Sequence, residues 1–491
     1  MLCIWSPPYL HRSLVSCDMS GQADRVNFRG GLKKMNRHAD LKTDEILTND
    51  THLIQSFAHL DSLKQDGART AIVAASGAYV TDSEGNRMID GIGGLWCVNV
   101  GHGRREIIDA ITEQLNTLDY YSTFYNFTHP AAAALASRIT KLAPGNLNNV
   151  YFANSGSVAN DTAIRILHHY NNMLGRPNKK KILSRHGAYH GSTHLAMAMT
   201  TPDYSAGWDV ADGLVHHLRR PSAFHEAGDM TEAEFLEVLA DDMLGAIRDI
   251  GEENIACFIA EPILGAGGVL VPPTGYHKRM REITAAHDIK YIADEVVTAF
   301  GRLGAMFASE DVFGMQPDII NTAKGLTSGY QPLSATIISD EIYEVISRPE
   351  AVFLHGMTYS GHPAATAAAL ANIDILESEK IPERVRTTGK VFENTLRGLG
   401  DLEIVGDVRG SHFMMGIECV KDKTTNEAFS EEEAIGSKIA QEAQKRGLIA
   451  RPLGNIVILS PTLIMDEAMI GEIGDILRES IEAATDDVFA R

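Results

Sequence analysis

Six short runs along the chain are apolar and β-rich without strict alternation: NVYFA (149–153), KKILS (180–184), ACFIAEPI (256–263), IKYIADEV (289–296), PDIINTA (317–323) and LSATIIS (333–339). A strand with water on one face alternates apolar and polar residues, whereas a strand covered on both faces has no need to. Stretches with helical spacing lie between several of them, including VANDTAIRILHHYNNML (158–174) and YHKRMREITAAHD (276–288). This β-then-α rhythm predicts an α/β fold, a large domain with a mostly parallel sheet flanked by helices.

The pattern changes at GHPAATAAALANIDILESE (361–379), which reads as a long helix, and continues as mixed strands and helices around GDVRGSHFMMGIECV (406–420) and LIARPLGNIVIL (448–459). We read residues 96–360 as the large domain and residues 361–491 as a smaller α+β domain, with residues 36–95 contributing to it from the other end of the chain. Residues 1–35 read as a disordered leader. Its several arginines and few acids resemble a weak transit sequence, and Met19 and Met35 offer alternative starts. The expected address is the cytoplasm, or the mitochondrial matrix if the leader acts as a transit peptide.

Charge narrows the partners. A formal net charge of −20 argues against nucleic acid, because binding a phosphate backbone needs clustered Lys and Arg. The one dense basic run, NKKK (178–181), reads as a solvated turn. No stretch approaches the roughly 18 uninterrupted apolar residues of a membrane helix. The five cysteines, Cys3, Cys17, Cys97, Cys257 and Cys419, are scattered and odd in number. Neither a disulfide framework nor a zinc knuckle is suggested, and a reducing compartment fits.

In an open parallel sheet, ligands collect beyond the carboxyl ends of the strands. Four features fall at such ends: the turn Ser155-Gly156-Ser157 before a helix, Tyr189 in HGAYHGS, Asp294 after an apolar strand, and Lys324 inside the otherwise uncharged NTAKGLTSGY. Each alone has an ordinary explanation. Serine before a helix is a common N-cap, an acid at a strand end is usually solvated, and a lone lysine usually keeps its charge in water. Together they supply what pyridoxal 5'-phosphate needs: a lysine to bind its aldehyde, an acid for its ring nitrogen, an anion site, and an apolar or aromatic floor and roof.

The motifs GLWCVNVGHGR (94–104), NSGSVAND (154–161), AYHGST (188–193), FIAEPILGAGGV (258–269), ADEVVTAFGR (293–302), TAKGLTSGY (322–330) and GMTYSGHP (356–363) occur in this order. By them the chain resembles the class III pyridoxal-phosphate aminotransferases of fold type I, from about residue 55 to the end. The resemblance implies a homodimer or a dimer of dimers with active sites at the subunit interface. It assigns Lys324 as the covalent anchor and proton carrier, Asp294 to the ring nitrogen, and Ser155, Gly156 and Ser157 to the phosphate. Thr358 would reach the phosphate bound in the neighbouring subunit. Val296 would pack under the ring, Tyr189 would stack above it, and Glu261 would orient the cofactor and Asp294.

For substrates, the resemblance is to the ω-amino acid and diamine:pyruvate branch. Family members that use 2-oxoglutarate commonly carry a Glu after EPI that pairs with a movable arginine, and here Ala266 takes that place. Arg451 would hold a substrate carboxylate or swing aside for an uncharged amine. Trp96, Phe57, and Phe124 from the neighbouring subunit would wall the pocket, although Trp96 and Phe124 also suit an ordinary core and Arg451 a surface ion pair. The donor class spans ω-amino acids, diamines and other amines, with pyruvate as the expected acceptor. One departure is Val158, where the family usually has Glu after the Ser-Gly-Ser turn.

Rival readings stay open at this point. His186, His190 and His194 are spaced i, i+4, i+8 and would line up as metal ligands on a helix, as in a metallohydrolase, but Gly187 and Gly191 oppose a helix there. No G-x-S-x-G nucleophile elbow occurs, and GHGRRE lacks the third glycine of a dinucleotide fingerprint. Aminomutases and decarboxylases of the same fold share all the cofactor residues.

Overall fold

The unalternating apolar runs form neighbouring strands of one sheet. In the computed structural model, which describes residues 41–64, 69–211 and 213–490, the chain divides into two units at Lys64/Gln65. The leader expected at 1–35 lies outside the described residues. In the first unit, the described part holds a helix, Thr43–Asp50, and a single 3-10 turn, Ser62–Lys64.

The second unit opens with an antiparallel meander, β1 (Ile72–Ser76), β2 (Tyr79–Asp82) and β3 (Arg87–Asp90). Leu448–Ile449, from far along the chain, adds to β3 in parallel.

The large sheet has seven strands: β4 (Asn149–Ala153), β5 (Lys181–Arg185), β6 (Val215–Leu218), β7 (Ile255–Ala260), β8 (Lys290–Asp294), β9 (Ile319–Thr322) and β10 (Ser334–Ile338). They lie in the order β4-β10-β9-β8-β7-β5-β6. Neighbours from β9 to β6 are parallel, whereas β10 runs antiparallel to both β4 and β9. Every residue of β7 to β10 is buried, as their unbroken apolar character requires. The sheet's edge strand β6, VHHL, is partly exposed, which explains its lack of an apolar signature.

Helices cover the faces. Gly156–Met173 buries Ala159, Ala163, Ile166, Leu167 and Tyr170, a stripe of helical period laid on the sheet. The expected long helix near 361–379 runs Pro363–Ser378, with proline at its first turn, where the missing N–H costs nothing. Beyond it, Val405–Ser411, Met414–Asp422, Ile456–Leu459 and Arg451–Leu453 form an antiparallel sheet, with Glu427–Ala428 on Met414–Asp422. No helix among the described residues is long and apolar enough to cross a membrane.

Candidate active site

β9 ends at Thr322, and Lys324 opens a single 3-10 turn, Lys324–Leu326. Its backbone sits at φ 38°, a left-handed conformation that costs a non-glycine residue on the order of 1–3 kcal/mol. The lysine side chain is partly buried and makes no hydrogen bond or ion pair with a described residue. Burial holds its ammonium below the usual lysine range; Asp294 and Glu261 pull the other way, and the charge of Arg451 adds to the lowering. A free amine biased toward its neutral form is therefore held at the carboxyl end of the sheet.

Asp294 ends the adjacent strand β8 and is 4% exposed. Its Oδ2 meets two buried groups: Asn160 Nδ2 donates to it at 2.8 Å, and His190 Nδ1 lies 2.7 Å away. Oδ1 takes the Val296 N–H at 3.1 Å. Asn160 Nδ2 also donates to the His190 carbonyl at 2.7 Å, and Asn160 Oδ1 accepts from Asn321 Nδ2 at 2.8 Å.

The Ser155-Gly156-Ser157 turn begins the helix Gly156–Met173. Ser155 is the N-cap, its Oγ accepting the Val158 N–H at 3.3 Å. The cap thus stands with valine at 158, and the first helical turn carries no acid. Its positive end remains open to an anion. Ser157 Oγ accepts the Ser192 N–H at 3.1 Å, and Ser192 Oγ lies 2.9 Å from the Tyr189 hydroxyl. Gly156 is needed for close approach, since a β-carbon there would come within 3.0 Å of both Val296 methyls.

Glu261 is buried just after β7 and binds two backbone donors, Tyr189 N–H at 3.0 Å and Gly265 N–H at 2.9 Å. Burial pushes its carboxyl up from the usual range; His190 lowers it again, and the negative Asp294 adds to the rise. Leu264 and Leu270 exchange both backbone hydrogen bonds at 3.0 Å, closing the loop that carries Ala266. The Ala266 carbonyl accepts the Tyr204 hydroxyl at 3.0 Å, and the Tyr204 ring meets the Tyr189 ring edge-on with centroids 5.7 Å apart. Ala266, Tyr204 and Leu453 line a cavity of about 730 Å³ together with His186, His217 and Arg219.

Arg451 stands at the start of the short strand Arg451–Leu453, opposite Ile458. It has no ion pair or hydrogen bond with a described residue, so it does not form the surface ion pair that the sequence alone allowed. Trp96 is buried in an apolar cluster with Ile263, Val269, Met414 and Ile458. Phe124 lies against Gly356, where an added β-carbon would come within 2.7 Å of its ring. Thr358, two residues on, is exposed, and its carbonyl accepts the Tyr120 hydroxyl at 2.6 Å. Phe57 is exposed in the first unit.

The three spaced histidines do not converge. Residues 186–192 are not helical, His186 faces the His217 ring at 5.4 Å, and His190 is committed to Asp294. Among the described residues, no group of three His, Cys, Asp or Glu is arranged to hold a metal. His190, Asn160, Asn321 and Tyr204 are the site residues that sequence reasoning missed or misread.

The residues present suit pyridoxal phosphate. The lysine amine has no hydrogen-bond or ion-pair partner among the described residues, a helix N-terminus with no acid is open to an anion, Gly156 leaves a cradle against Val296, and Asp294 keeps capacity on Oδ1.

Residues 63–481 match the aminotransferase class-III family. The chain is 41% identical over 449 residues to a putrescine–pyruvate aminotransferase of Pseudomonas aeruginosa, covering 91% of this chain and 97% of that protein. It is 38% identical over 424 residues to a mitochondrial gamma-aminobutyrate transaminase of rice, Oryza sativa, covering 85% and 82% respectively. Among solved structures, it superposes on the ω-transaminase of Pseudomonas jessenii in complex with PMP with a TM-score of 0.88, at 34% identity, over 90% of this chain and 99% of that one.

A lysine and an aspartate at neighbouring strand ends, over a sheet of this order and within a match of this extent, place the chain in the class III aminotransferases of fold type I. It is a pyridoxal-phosphate-dependent transaminase that moves amino groups from amines to 2-oxo acids.

Proposed function

We propose that the amino donor is an ω-amino acid, a diamine or another amine, that pyruvate is the acceptor, and that pyridoxal 5'-phosphate binds between Tyr189 and Val296. In this reading Lys324 would hold the cofactor at its aldehyde carbon, and its amine would carry the proton at the substrate carbon. The neutral amine that burial favours is the form able to take it. Asp294 keeps the ring nitrogen protonated, and the Ser155–Ser157 turn holds the phosphate with Thr358 of the neighbouring subunit. Glu261 fixes the Tyr189 backbone, while Trp96, and Phe124 of the partner subunit, shape the pocket wall. When bound, the cofactor supplies an electron sink that acidifies the carbon bearing the amine.

The observation that carries the acceptor is Arg451, which makes no ion pair or hydrogen bond with a described residue and whose charge acts on Tyr204, the donor to the Ala266 carbonyl. Pyruvate brings one carboxylate, which a free guanidinium can hold through two charge-assisted hydrogen bonds. A 2-oxo dicarboxylate brings a second charge, and burying it unpaired costs several kcal/mol. The P. aeruginosa relative, named for putrescine and pyruvate, supports the same choice.

A homodimer, or a dimer of dimers, completes this reading. Tyr121, Tyr125, Phe127, Val352, Leu354 and Tyr359 are all exposed in the two segments that flank Thr358 and Phe124. Apolar side chains concentrated in this way favour a covered interface. We propose a cytoplasmic protein, as its bacterial relative suggests; the mitochondrial address of the rice relative would require a transit peptide here.

The test is to time the two half-reactions separately by stopped-flow absorbance. Pyruvate should outpace 2-oxoglutarate. Arg451→Ala should lose rate with pyruvate and ω-amino acids but little with an uncharged aromatic amine. Faster turnover with 2-oxoglutarate overturns the acceptor, and equal losses for charged and uncharged substrates make Arg451 structural.

A further inference from the structure

The Asp294 carboxylate is held unevenly, and the asymmetry traces to one amide. Asn160 and His190 both engage Oδ2, at 2.8 and 2.7 Å, whereas Oδ1 receives a single backbone N–H at 3.1 Å. Both Asn160 N–H groups are engaged, one by Asp294 and the other by the His190 carbonyl, and its oxygen accepts from Asn321. Rotating that amide by half a turn would set its oxygen against a carboxylate and a carbonyl. It would also set its NH2 against the Asn321 NH2. Three buried contacts therefore lock one orientation, in a region where an unmet donor or acceptor carries its full desolvation cost.

Strand register makes this lock durable. Asp294 and Asn321 are paired residues of β8 and β9, and the Asn321 carbonyl accepts the Glu295 N–H at 2.8 Å. Asn321 also lies three residues before Lys324 on the same strand end. Asn160 reaches the pair from the helix that begins at the Ser155 turn. The network thus joins the elements that carry the lysine, the acid and the anion site, and Asn160 and Asn321 are each 1% exposed or less.

We propose that Asn160, keyed by Asn321, is a positioning residue: by occupying Asp294 Oδ2 it leaves Oδ1 as the oxygen that receives the cofactor's ring N–H. The inference rests on the reading that Asp294 serves that nitrogen. It assigns Asn160 no contact with substrate or reacting atoms.

The test is equilibrium binding, with no turnover involved. Full-length protein freed of cofactor is titrated with pyridoxal phosphate and with the carbocyclic analogue in which C–H replaces the ring nitrogen, following tyrosine and tryptophan fluorescence. The unaltered protein should bind pyridoxal phosphate more tightly than the analogue. Asn160→Ala should weaken pyridoxal phosphate on the order of tenfold, as loss of one hydrogen bond to a charged group would, and leave the analogue unchanged. Asn321→Ala keeps both Asp294 contacts in place and should show the same selective loss at smaller size. It carries the comparison if Asn160→Ala does not fold. Equal weakening of both ligands, or none, overturns the inference and leaves the role of Asp294 standing. Failure of the unaltered protein to distinguish the ligands overturns the role of Asp294 itself.

Discussion

A β-carbon on Gly191 would lie 2.3 Å from Ser157 Oγ, so the loop after β5 meets the first turn of the helix Gly156–Met173 at a single atom-wide gap. The same glycine sits at φ 136°, where a side chain is strained whatever the space.

Gly191→Ala should therefore push Ser192 away from Ser157 and break the 3.1 Å contact that joins them. The expected result is a folded protein, by circular dichroism, that loses its visible cofactor band on gel filtration far faster than the unaltered enzyme. Unchanged retention would mean that the two segments move freely past each other.

Two contacts of Tyr204 can be separated, its hydroxyl on Ala266 and its ring against Tyr189. Tyr204→Phe keeps the ring and should cost about 0.5–1.5 kcal/mol of stability, the net worth of one hydrogen bond. Tyr204→Leu loses both contacts and should cost roughly 0.5–1.5 kcal/mol more. Urea midpoints of the two variants check the order; equal midpoints would remove the ring contact from the account.

Lys324 gives a pH signature in the cofactor-free protein. Burial lowers its folded value, so between that value and the unfolded value near ~10.4 the unfolded chain binds more protons than the folded one. Stability from this group thus rises with pH through that window, and below it the full penalty of burying the charge applies. Lys324→Met should be more stable than the parent at neutral pH, and the difference should shrink as pH approaches 10. Denaturant midpoints taken across pH measure it, and a gap that ignores pH would place the ammonium in water.

Much of the fold was legible because burial on both faces leaves a direct trace in composition. All six apolar runs became strands of one sheet, but strand direction has no such trace, and the antiparallel setting of β10 comes from its connections. β6 escaped notice because an edge strand can be half polar. Lys324 and Asp294 stood out as charges at strand ends. Their supports did not: His190 looked like one of three spaced ligands, and Asn160 and Asn321 become partners only when β8 and β9 align. Ser155 shows a second limit, since it caps its helix through the Val158 backbone N–H, which any residue but proline supplies.

The paired hydrogen bonds between Leu264 and Leu270 give the loop of Ala266 a fixed stance, and Tyr204 braces it from outside. The Arg451 side chain, on a strand of three residues, makes no hydrogen bond or ion pair with a described residue. In the proposed substrate reading, the Ala266 loop is a stop and Arg451 a latch. Bulk added at residue 266 would shorten the cleft by a set amount for every substrate, whereas changes around 451 would alter which substrates the cleft can close upon. Breadth of donor and choice of acceptor are then adjustable by separate parts of the chain.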